Sequence, residues 1–235
     1  MALMKIISKL KRYINKINPN SDFYYSQNGE DILLNVIFNN INNGFYIDVG
    51  AYHPIRFSNT YRLYQRGWRG INIDAMPGSM HNFKKIRPSD INLEVPIYDA
   101  DSKLNYYMFE EQAYNTLDKN VADKLKLKGN HPIKNIEITT KKLDAILDDH
   151  LPINVEIDIL DIDVEGIDFN VLKSINLNKY RPKVIMVEVW SKSLKELMVN
   201  EITVYLSNFN YNIYSKLHDT VFFLRDDFFS KRFGK

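Results

Sequence analysis

Gly44-Phe45-Tyr46-Ile47-Asp48-Val49-Gly50-Ala51 is the stretch on which the fold turns. Strand-forming residues, apolar but for one aspartate, run straight into a glycine. That is the pattern of a strand buried on both faces that stops at a tight turn. Upstream lies a helical stretch from about Glu30 to Ile41. Downstream, a helix around Asn59–Arg66 leads to a second strand at Gly70–Asp74, and a third is read at Ile91–Tyr98. A fourth follows at Val155–Ile162, and a fifth at Lys183–Val189 after a helix at Phe169–Ile175. Tyr211–Lys216 and Thr220–Leu224 flank Leu217-His218-Asp219 and predict a closing antiparallel hairpin. Strands alternating with helices predict an α/β fold: a mostly parallel, seven-stranded sheet with helices on both faces. Residues 101–150, less regular and rich in lysine, read as an insertion between strands three and four.

Composition narrows the class. The chain has 235 residues, 45% hydrophobic and 26% charged, which are ordinary globular values. Thirty-one Lys and Arg against 29 Asp and Glu leave a formal charge of +2, so no basic excess points to nucleic acid. The absence of cysteine excludes disulfides, thiolate metal sites and thiol nucleophiles. No apolar run approaches the roughly 20 residues that span a bilayer. A cytoplasmic protein is expected, its main domain covering residues 21–235.

Residues 1–20 stand apart. Leu3, Ile6, Ile7, Leu10, Ile14 and Ile17 recur at helical spacing with Lys5, Lys9, Lys11, Arg12 and Lys16 between them. A basic amphipathic helix of this kind suits a membrane surface. Docking on its own domain, or on a second subunit in a homodimer, is the preferred reading.

On a parallel sheet, ligands sit at the carboxyl ends of the strands. Acidic residues recur there: Asp48, Asp74, Asp99, then Asp161, Asp163 and Glu165, and finally Glu188. Like charges crowded at one edge repel unless a ligand or cation offsets them, so that edge is a candidate site. At the Asp48-Val49-Gly50-Ala51 turn a glycine permits close backbone approach, and a helix N-terminus after it would offer free N–H groups. The turn lacks a full G-x-G-x-x-G, which argues against a dinucleotide. Asp74 follows Asp48 by 26 positions, one βαβ step, where an acid binds ribose hydroxyls. Asp99 is placed to accept from an adenine amino group. An acid on a ribose without a phosphate clamp fits a nucleoside cofactor such as S-adenosylmethionine.

Tyr25–Asp31 (YSQNGED), Tyr46–Pro54 (YIDVGAYHP), Ser58-Asn59-Thr60, Gly67–Pro77 (GWRGINIDAMP) and Leu160–Gly166 (LDIDVEG) together resemble the FkbM-type methyltransferases. The resemblance covers about residues 23–190. It implies a class I, Rossmann-like methyltransferase fold and S-adenosylmethionine-dependent O-methylation, often of sugar hydroxyls. By position, it puts Asp48, Gly50 and Ala51 at the methionine side of the cofactor. Asp74 falls at the ribose and Ala75 and Met76 beside the adenine, with Asp99 matching the adenine contact loosely. Gln27 and Glu30 fall in a segment folded over the cofactor, and Asp163-Val164-Glu165-Gly166 faces the reacting methyl, with Asp161 beside it.

A sugar hydroxyl needs in-line positioning and loss of a proton to attack a methyl. Asp163 is the first candidate for the base, with His218, beside Asp219, next and His53 after it. Asp163, Glu165 and Glu188 offer only hard oxygen ligands, which would suit Mg²⁺ if a metal activates the hydroxyl. The arginines of Tyr61–Arg69 read as solvated on a helix whose aromatics pack inward. Tyr106, Tyr107, Phe109 and Tyr114 suit either stacking on a sugar or packing, and Asn115-Thr116 falls on the acceptor side. The expected acceptor is sugar-containing, a nucleotide-linked sugar or surface-polysaccharide precursor. A lipid, polyketide or small metabolite is the alternative acceptor, and a nucleotide-dependent oxidoreductase or non-catalytic nucleotide-binding module the alternative class.

Overall fold

The computed structural model describes residues 24–234, so the amphipathic segment 1–20 lies outside the described residues. Five parallel strands, β1 (Phe45–Val49), β2 (Arg69–Asp74), β3 (Ile91–Glu94), β6 (Ile159–Ile162) and β7 (Val184–Glu188), share a sheet with β8 (Tyr211–Leu217) and β9 (Thr220–Arg225). The order is β3-β2-β1-β6-β7-β9-β8, with β9 antiparallel to β7 and to β8. The sheet is the mostly parallel, seven-stranded one expected, and its C-terminal hairpin turns at His218-Asp219.

Two strands are shorter than the sequence implies, each for a local reason. The third ends at Glu94 because Pro96 has no N–H to continue the ladder. The fourth begins only at Ile159, since the Asp158 carboxylate takes the Phe45 N–H at 2.8 Å in place of a backbone partner. Helix α1 (Glu30–Ile37) stops before Asn39-Asn40, where Asn40 takes a left-handed φ of 63°.

Alternate residues of the buried strands feed two apolar layers. Ile47, Val49, Leu160, Ile162, Ile185 and Val187 pack with Leu143, Ile146 and Leu147 of α5 (Leu143–His150) and Leu172 of α6 (Asp168–Lys173). Tyr46, Ile159, Val184 and Met186 face α1 and Trp68 on the other side. Of the arginines read as solvated, Arg69 is exposed, whereas Arg62 within α2 (Tyr61–Gln65) and Arg66 just after it are partly buried. Arg66 donates to Asn35 Oδ1 (2.7 Å) and to the carbonyls of Phe38 and Ile41, tying α2 to α1.

The segment 101–150 is not irregular. Strands β4 (Lys103–Met108) and β5 (Lys134–Thr139) form a separate antiparallel ribbon, with a 3₁₀ turn at Gln112–Tyr114, helix α4 (Lys119–Leu127) and α5 following in the chain around it. The alternation of a half-buried strand is present in β5 but too short to stand out from the lysine-rich residues around it. Lys134-Asn135-Ile136-Glu137-Ile138-Thr139 carries only two apolar positions.

Behind the cleft-forming edge lies a polar core. Arg87, wholly buried at the end of helix α3 (Met80–Ile86), donates to Asp90 (2.9 Å), to the Tyr46 hydroxyl (2.6 Å) and to Thr60 Oγ1 (2.9 Å). Thr60 passes the chain on to Asp48 at 2.6 Å. Asp90 also accepts from Gly70 N and Asn72 Nδ2 on β2. Gly70 is required, since a Cβ there would lie 2.1 Å from the Tyr46 ring. Removing one partner of a buried ion pair leaves an uncompensated charge, which costs about 3–5 kcal/mol. Arg87→Leu is therefore expected to lower stability by about that amount in urea unfolding, and an unchanged midpoint would contradict this role.

Candidate active site

The carboxyl ends of β1, β2 and β6 open into one cleft of about 960 Å³, a volume that includes its open mouth. Gly50 shapes its floor. At φ 87° its N–H and that of Ala51 both donate to Ile73 O (2.9 and 3.1 Å). A Cβ at position 50 would lie 1.7 Å from Asp163 O, so only glycine lets the β1 turn meet the β6 turn. The helix expected directly after this turn is absent. Residues 51–60 form a loop, with Tyr52 (φ 50°) and Phe57 (φ 58°) in left-handed conformations, and α2 starts only at Tyr61.

Gln27, Asp48, Gly50, Ala51, Asp74, Ala75, Asp161, Asp163 and Glu165 all line the cleft. Asp74 accepts from Met76 N (2.7 Å) and Tyr52 N (3.1 Å), yet burial pushes its pKa up to about 6. Asp161 accepts from Asn59 at 2.9 Å through Oδ2, while its buried Oδ1 has no partner. Burial and the neighbouring Asp48 raise the Asp161 pKa well above the usual range. Asp163 is exposed at the cleft; desolvation by the surrounding protein, then Glu188 and Asp48, push it up to about 7. Burial and Asp163 raise Glu165 to about 9, and burial raises Glu188 to about 7.

The other candidates fall elsewhere. Met76 lies just outside the lining, its Sδ accepting from Asn115 Nδ2 at 3.5 Å. Glu30 is buried outside the lining and accepts from Asn28 N at 2.9 Å, though its charge reaches Asp161 and Asp163. Asp99 points away, accepting from Asn170 (2.7 Å) and pairing with Lys173 (3.4 Å). His53 Nδ1 accepts the N–H groups of Ile55 and Arg56, which makes it a turn-forming residue outside the lining. His218 pairs with Asp219 at 3.0 Å on the exposed hairpin turn, also outside the lining.

The acidic trio differs from the one read in the sequence. Ligand atoms of Asp163, Asp168 and Glu188 lie within 4.8 Å of one another, and Glu165 is not among them. Asp168 is committed to the loop, accepting from Val164 N and Gly166 N at 3.0 Å each. An Asp at a helix start reads as an ordinary cap, which hides it in the sequence. Tyr52, Phe57, Asn59 and Tyr106 also line the cleft, and none of them stands out in the sequence as a ligand to the cofactor. Of these, Tyr52 and Asn59 sit within motifs, Tyr46–Pro54 and Ser58-Asn59-Thr60, that point to this edge.

A glycine turn after β1, an acid ending β2 and an acid-rich turn after β6 thus meet in one cleft. The family profile of the methyltransferase FkbM domain matches residues 48–213, which contain all three. The chain belongs to the FkbM methyltransferase family. No curated protein matches it. Methyltransferases of this kind use S-adenosylmethionine, and the cleft fits such a cation: it holds an unpartnered buried carboxylate oxygen on Asp161 and no cationic side chain in its lining among the described residues.

The raised carboxyl pKa values have a consequence for stability. Native Asp163 binds its proton more tightly than the unfolded chain, whose aspartates titrate near 4. Its contribution is therefore present below about pH 4 and lost as pH rises through about 7. Asp163→Asn is expected to gain stability relative to wild type as pH rises from about 5 to 8, read by thermal unfolding across that range. A difference independent of pH would contradict the shift.

Proposed function

We propose that the protein transfers a methyl group from S-adenosylmethionine to a hydroxyl oxygen of a sugar, on a nucleotide-linked sugar or surface-polysaccharide precursor in the cytoplasm. The observation that carries this reading is the position of Asp163. It is a carboxyl open to the cleft, poised near neutrality, across the glycine turn from Asp48 and Asp161.

Asp74 is suited to accept from ribose hydroxyls, with Ala75 beside the base. Val95, Ile97 and Leu117 give that end of the cleft an apolar lining. Asp161 Oδ1 is available to a cationic group of the ligand, while Gly50 and Ala51 let the backbone come close. S-adenosylmethionine, when bound, supplies an electrophilic methyl on sulfur. Asp163 is placed to take the proton of the acceptor hydroxyl as that oxygen takes up the methyl group, which would leave the cofactor as a neutral thioether. A base with a pKa near the working pH serves this step well. His218 is a weaker candidate because it stands on the exposed turn.

The acidic cleft does not favour polyanionic nucleic acid, and a sugar acceptor accords with the polar Gln27, Asn59 and Gln112 at the cleft. Asp163→Ala is expected to remove methyl transfer in a screen over nucleotide sugars, while S-adenosylmethionine affinity stays within about tenfold, the size expected for losing a group that acts on the acceptor. Full activity in that variant would overturn the assignment.

A further inference from the structure

The Asp163–Gly166 turn contains a costly residue with no structural return. Glu165 has a left-handed backbone (φ 57°) and is followed by Gly166 at φ 107°. A non-glycine residue in that region is strained, and a glycine would fill the position at lower cost. The side chain gains nothing locally. It lines the cleft, crowded by Asp163, Glu188 and Asp168, and receives no hydrogen bond from the described residues. Strain of this kind persists only where surrounding contacts over-determine it.

Those contacts come from the segment between β4 and β5. Thr116, 1% exposed, donates Oγ1 to the Glu165 carbonyl at 2.7 Å. Thr116 is itself fixed, exchanging both backbone hydrogen bonds with Tyr107 of β4 (2.9 and 3.1 Å) and accepting Asp118 N at 2.8 Å. Helix α4 presses on the next residue: a Cβ at Gly166 would lie 2.6 Å from Val121 Cγ2. From the other side, Asp168 holds the Val164 and Gly166 N–H groups. The β4–β5 ribbon and α4 therefore clamp one strained residue whose unpartnered carboxyl opens on the cleft.

We propose that Glu165 is an acceptor-side carboxyl facing the transferring group, where it takes a hydrogen bond from the acceptor, and that Thr116 is the residue that positions it. This rests on the S-adenosylmethionine reading of the cleft. The ribbon, on this reading, aims a second carboxyl beside Asp163.

Two cofactor analogues test this without knowledge of the acceptor. S-adenosylhomocysteine lacks the transferring methyl, whereas sinefungin places an ammonium there. Calorimetric titration of both into the full chain is expected to show wild type preferring sinefungin. Glu165→Ala and Thr116→Val should each cut that preference by about threefold or more while S-adenosylhomocysteine affinity stays within about twofold, as expected for loss of one contact to the added group. Glu165→Gln, close in size, should give a smaller loss, and Thr116→Ser should restore the wild-type ratio. An unchanged ratio in Glu165→Ala and Glu165→Gln would overturn the placement of Glu165. Equal weakening of both analogues in Thr116→Val would reduce Thr116 to a packing role and overturn its part. Failure of wild type to bind either analogue would instead defeat the cofactor reading, and this inference with it.

Discussion

The turn after β1 and the turn after β6 pass within contact distance at Gly50 and Asp163, and the site depends on that approach. A Cβ at position 50 would overlap Asp163 O at 1.7 Å. The two strands also pair in register, Asp48 opposite Asp161. Close pairing thus puts three aspartates from two strands on one floor, with Asp74 entering from β2 through Gly50 N and Ala51 N on Ile73 O. Any side chain at position 50 would force the strands apart and disperse the acids.

Such crowding is unfavourable in isolation, and the molecule treats its two acidic groups differently. Deep in the sheet, Asp90 is paired with Arg87, whose guanidinium also reaches Thr60 and so supports Asp48 from behind. At the cleft, Asp161 and Asp163 have no such cation, and burial raises their pKa values. The difference separates scaffold from site. A compensated charge holds the strands together, and uncompensated ones wait for a positively charged ligand. No helix among the described residues is long and apolar enough to cross a membrane.

Much of this is legible in the chain. Phe45–Val49 is apolar but for Asp48 and ends in glycine, so its burial and its turn both follow from the residues. The acids at the ends of β1, β2 and β6 can be placed because parallel strands put their carboxyl ends at one edge. Asp99 is misplaced by such a reading because β3 ends early, at Glu94; the chain lines the cleft with Val95 and Ile97 and only then turns away, so that Asp99 meets Asn170 and Lys173 instead. The acidic grouping read as Asp163, Glu165 and Glu188 closes instead on Asp163, Asp168 and Glu188, because Asp168 folds back onto the turn through the Val164 and Gly166 N–H groups, a bond pattern that spacing does not reveal. The ribbon at 103–139 is hidden by lysines and asparagines on its exposed faces. It reaches the site through Tyr106, Gln112 and Leu117 in the lining and through the Thr116 hydroxyl on the Glu165 carbonyl, links with no periodic signature.

The central claim is that the cleft between β1, β2 and β6 accepts a cationic nucleoside cofactor rather than a dinucleotide. Calorimetric titration of the full chain with S-adenosylmethionine and, separately, with NAD tests it most directly. Saturable binding of S-adenosylmethionine, with NAD bound about a hundredfold more weakly or worse, is the predicted result, a gap of about 2.7 kcal/mol. Tight binding of NAD with none of S-adenosylmethionine would contradict it.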